Sequence, residues 1–61
     1  MENVWAIYRI LSKNGKQVQL TIKEYCESEE DAVRFTRLYN NQVPHDLRDR
    51  INFRHIMTNV Q

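Results

Sequence analysis

The segment Val4 to Leu11, Val-Trp-Ala-Ile-Tyr-Arg-Ile-Leu, is apolar at all but one position. A half-buried strand alternates apolar and polar residues with period two. Here Trp5, Ile7 and Leu11 point one way, and Val4, Ala6, Tyr8 and Ile10 point the other. One row can pack on the protein's own core, while the second needs another cover.

Asn14-Gly15 follows, and Asn-Gly between two apolar runs is the strongest short-range hairpin signal, because both residues tolerate positive φ. The second strand, Gln17 to Tyr25, sets Val18, Leu20 and Ile22 against Gln19, Thr21 and Lys23. A two-residue turn pairs Leu11 with Val18, Ile7 with Ile22 and Trp5 with Glu24. That register gathers Trp5, Ile7, Leu11, Val18, Leu20 and Ile22 on one face, with Arg9 intruding, and leaves Val4, Ala6, Tyr8 and Ile10 over. A three-residue loop with a bulge instead exchanges the faces of the first strand. We adopt the two-residue turn.

Ser28 is placed to cap a helix, with Glu29, Glu30 and Asp31 at the positive end of its dipole. Ala32, Phe35, Thr36 and Tyr39 recur at i, i+3, i+4 and i+7 and form one apolar stripe. Glu30 and Arg34 have the spacing of an ion pair, and Asn40-Asn41 with Pro44 close the element. Further on, a strand over 50–57 keeps Ile51, Phe53, His55 and Met57 on one face, against Asn52, Arg54 and Ile56. As a helix, Phe53, Ile56, Met57 and Val60 would line up but Leu47 and Ile51 would fall on the far side, so the strand reading keeps more apolar residues together. Asp46 to Asp49 are expected to make a single helical turn.

The fold class expected is α+β: a small ββαβ domain with a three-stranded antiparallel sheet of order 2-1-3 and one helix packed on one face. Residues 1–61 form a single domain, with a hairpin about 3–25, a helix about 29–41, a loop 42–49 and a third strand about 50–57. One helix covers one face of such a sheet.

Size sharpens the question of the other face. A chain of 61 residues buries only about 60% of its unfolded surface and leans on disulfides, metals or a partner. Cys26 is the only cysteine, so an internal disulfide is impossible, and a lone thiol fits a reducing, cytoplasmic location. No stretch has the length of a transmembrane helix, and Met1-Glu2-Asn3 lacks the basic start of a signal peptide, so no membrane partner is expected.

Candidate chemistry is thin. Cys26, His45 and His55 could in principle build a cysteine–histidine nucleophile or a metal site, but no local signature or close ligand pair supports either. No catalytic, cofactor-binding or metal-binding residues are therefore assigned, and no enzyme activity is expected. The formal net charge of +1 gives no global attraction to nucleic acid. Arg48, Arg50, Arg54 and His55, with Arg34 and Arg37, could still make a phosphate-binding face beside Tyr8 and Tyr39. A small nucleic-acid-binding protein is therefore the alternative reading. The acidic run Glu24 to Asp31 is explained locally as a helix start.

The function expected is a non-enzymatic protein-binding module that dimerises through its leftover apolar row. Val4, Ala6, Tyr8, Ile10, Arg48, Arg50 and Arg54 are its candidate binding residues, and the partners are a second copy and an unidentified protein target. Size alone suggests a regulator or inhibitor, including the kind that phages and mobile elements encode.

Overall fold

A computed structural model describes residues 2–60 and has the ββαβ order expected: β1 (Glu2–Lys13), β2 (Lys16–Cys26), α1 (Glu29–Gln42), a 3₁₀ turn (His45–Leu47) and β3 (Ile51–Val60). The sheet is antiparallel throughout with strand order β2-β1-β3. The most apolar segment thus becomes the central strand, with a neighbour on each side.

The hairpin turn is the two-residue one. Asn14 and Gly15 take φ of 55° and 79°, and Lys13 pairs with Lys16 across them. The register beyond the turn departs from the expected one, because β2 carries two extra residues. Leu11 pairs with Gln19 rather than Val18, Ile7 with Glu24 rather than Ile22, and Trp5 with Cys26 rather than Glu24. The first irregularity leaves Val18 unpaired and the second leaves Lys23 unpaired. Each bulge sets two residues of one strand against one of its neighbour and reverses the face on which the following side chains fall.

Tyr39 gives the second bulge a physical reason. Its hydroxyl donates to the Glu24 carboxylate, while the Lys23 ammonium stands 5.4 Å from its ring centroid. Two consecutive side chains of β2 therefore serve one helix residue, which regular alternation forbids. The two bulges together carry Cys26, instead of Glu24, in beside Trp5.

The core lies between α1 and the odd-numbered row of β1. Ile7, Cys26 and Ala32 are buried together, and Trp5, Phe35, Tyr39 and Phe53 pack around them. Tyr39 and Phe53 rings lie 5.3 Å apart and Phe35 and Tyr39 rings 6.5 Å apart, so the helix stripe read from the spacing is the stripe that packs. Ile7 is the largest side chain wholly removed from water, which is a small core even for this length.

Ser28 caps α1 by accepting from the Asp31 amide at 3.2 Å. Arg34 pairs with Asp31 at 2.8 Å, not with Glu30, because three residues along a helix serve as well as four. The helix runs one residue past Asn41, and the 3₁₀ turn starts at His45 rather than Asp46. β3 extends past Met57, still paired with β1.

Candidate functional site: the open face of the sheet

Trp5 and Ile7 face the helix, so Val4, Ala6, Tyr8 and Ile10 lie on the opposite side of β1. Cross-strand partners share a face, and this identifies the neighbours of that row. From β2 it receives Tyr25 opposite Ala6, Ile22 opposite Tyr8 and Leu20 opposite Ile10. From β3 come Thr58, Ile56, Arg54 and Asn52 opposite Val4, Ala6, Tyr8 and Ile10. Leu20, Ile22, Tyr25 and Ile56 are each 45–55% exposed, whereas Ala6, hemmed in by these larger neighbours, is fully covered.

Leu20 and Ile22 were expected under the helix. The Val18 bulge turns them outward, the Lys23 bulge then returns Glu24 and Cys26 to the helix side, and the face read as one leftover row is an apolar surface three strands wide. Alternation alone could not reveal this. The sequence hints only at the second bulge, where Lys23 stands beside Glu24, two charges next to each other where a regular strand would send one of them inward.

The arginines are dispersed. Arg54 shares the open face with Tyr8. Arg50 instead lines a cleft of about 420 Å³ at the hairpin end with Leu11, Lys13, Val18, Leu47 and Ile51. Arg48 borders a different recess with Asn40, Asn41 and Asn52. Arg34 and Arg37 are exposed on α1, with Arg34 engaged by Asp31. The two tyrosines expected beside them also separate, Tyr8 on the open face and Tyr39 on the helix side. The arginine-rich face with stacking aromatics is thus divided among separate surfaces.

Cys26 and His55 both lie on the helix side, but β1 runs between them: Cys26 faces Trp5 and His55 faces Ile7. Two strand spacings separate their backbones, roughly 9–10 Å. The His55 ring leans on the Trp5 indole, centroids 5.6 Å apart. His45 opens the 3₁₀ turn. Burial, together with the charges of Glu24 and Asp31, raises the Cys26 thiol above its usual 9.0 and disfavours the thiolate a nucleophile requires. No helix of the described residues is long and apolar enough to cross a membrane. No known family, curated protein or solved structure matches this chain.

Proposed function

We propose that the chain is a non-enzymatic protein-binding module, a cytoplasmic regulator or inhibitor that acts by occupying a target, and that it works as a homodimer paired through the open face. The observation that carries this reading is the contiguous apolar surface of Val4, Tyr8, Ile10, Leu20, Ile22, Tyr25 and Ile56 on a sheet whose other side already has its helix. Surfaces of this kind mark interaction sites.

Shape and chemistry favour a second copy as the occupant. The open face belongs to a sheet of three long strands, so it is an elongated strip that an identical strip matches in length and width. Two twisted sheets stacked about 10 Å apart make a sandwich core of the usual thickness. Arg54 stands on an edge strand, where its guanidinium reaches water at the rim. A domain in which Ile7 is the one large, fully buried side chain among the described residues also gains the apolar burial that its own length cannot supply.

Leu20→Lys and Ile22→Lys are the decisive variants. Both side chains are about half exposed, so the monomer tolerates the change. A symmetric interface loses the burial twice, and the dimer dissociation constant rises by at least about a hundredfold. Sedimentation velocity across a dilution series reads this directly. A parent chain that is monomeric at every concentration, or variants that dimerise as well as the parent, would refute the association.

A further inference from the structure

We infer that the outer edge of β3 from His55 to Asn59 is a strand-addition site for an extended segment of another protein that alternates apolar and acidic residues. The inference rests on the reading as a binding module but not on dimerisation through the open face.

The argument starts at Asn40. Its side-chain amide accepts from the Phe53 N–H at 2.7 Å and donates to the Phe53 carbonyl at 3.0 Å. A carboxamide bonded in this way imitates a neighbouring strand. Both Phe53 groups therefore point away from β1. In an antiparallel ladder the direction alternates along the strand. The even-numbered residues of β3 accordingly face β1, as the Ser12 N–H to Arg50 carbonyl bond of 2.7 Å requires. The backbone groups of His55, Met57 and Asn59 then face outward with Phe53. Among the described residues, Asn40 is the side chain bonded to this edge, and it occupies Phe53 alone.

The two edges of the sheet differ. β2 is interrupted by bulges at Val18 and Lys23, devices that keep an edge from pairing. β3 pairs with β1 over ten residues without a shift and carries no proline or bulge. A long regular edge is a template for an added strand. Asn40 sets its limit, so the register of an incoming strand is bounded at Phe53.

Charge decides the occupant. From Ile51 to Asn59 there is no carboxylate, while Arg54 and His55 stand next to the free stretch. A second β3, paired antiparallel about Met57, would offer Arg54 no carboxylate. A foreign strand with acidic residues on the open-face row, beside Arg54, and apolar ones on the helix-side row, beside the exposed Met57, satisfies both.

The test uses the full chain with two synthetic probes, an eight-residue peptide alternating valine and glutamate and its valine–lysine counterpart. Amide hydrogen exchange by NMR should show new protection at His55, Met57 and Asn59 with the glutamate peptide, and none at Phe53. The lysine peptide should bind several-fold more weakly. Met57→Pro removes an outward N–H that the sheet does not use and should lower affinity about tenfold. Arg54→Glu should invert the preference between the peptides, an outcome no general loss of folding produces. Equal binding of both peptides, binding of neither, or protection on β2 instead would overturn the proposal. A Met57→Pro chain that stays dimeric yet binds as well as the parent refutes the edge alone. A monomeric parent that still binds the glutamate peptide refutes only the open-face association.

Discussion

Tyr39 joins three elements through one side chain. Its ring lies between Phe35 and Phe53, and its hydroxyl reaches Glu24 on β2. Donation to a carboxylate, followed by burial and the nearby negative charge, raises its ionisation above the usual 10.0, as burial raises Cys26 above 9.0. Both groups are neutral when protonated, and the unfolded chain releases each proton first. Their contributions are complete below those usual values and are lost as pH rises through the folded ones. Urea denaturation at fixed protein concentration should show stability falling from pH 9 upward. Tyr39→Phe should remove the part of the decline above pH 10 and cost about 1 kcal/mol at neutral pH. An unchanged alkaline slope would refute the Tyr39–Glu24 bond. Thr36 offers the opposite case. It is buried in the helix stripe, and its hydroxyl has no protein partner. Thr36→Val keeps the shape, removes the orphaned group and should stabilise the fold by about 1 kcal/mol in the same assay.

The hairpin and the helix were legible for different reasons. Ser28 and the Ala32-Phe35-Thr36-Tyr39 stripe act within one element, and local signals of that kind survive tertiary packing. Asn14-Gly15 named its own turn. Nothing lies within 4 Å of where a Gly15 side chain would begin, so Gly15→Ala costs only backbone strain at φ 79°. That strain is about 1–2 kcal/mol and should lower the melting temperature by about 4–8 °C for each kcal/mol. No change in melting temperature would mean the turn has another shape. The faces of β2 were not legible, because alternation counted from the turn runs straight through the Val18 bulge, and the second bulge at Lys23 answers to Tyr39, sixteen residues further on. Strict alternation carries no record of such a distant demand. Local pattern thus gave the right strands and the right turn, with the wrong side of β2 facing the helix.

For the molecule as a whole, order 2-1-3 followed from the crossover rule and from the doubly apolar β1, and the structure has that order. The open-face residues of β1 were legible because a single helix cannot cover two faces. Their extension by Leu20 and Ile22 was not, for the reason just given. The arginines read as one group are scattered because proximity along residues 48–54 spans a turn, a strand start and an edge. Strand order has a further consequence, for synthesis. The central strand leaves the ribosome first, yet its β3 partners follow 40 residues later at Leu11–Ile51 and 58 later at Glu2–Val60. Until that last segment emerges, a stretch apolar on both sides waits half paired in a nascent hairpin. Ordered by contacts this distant in sequence, the sheet closes only once β3 has emerged, and the interval before closure is when the chain is most open to aggregation or to a chaperone.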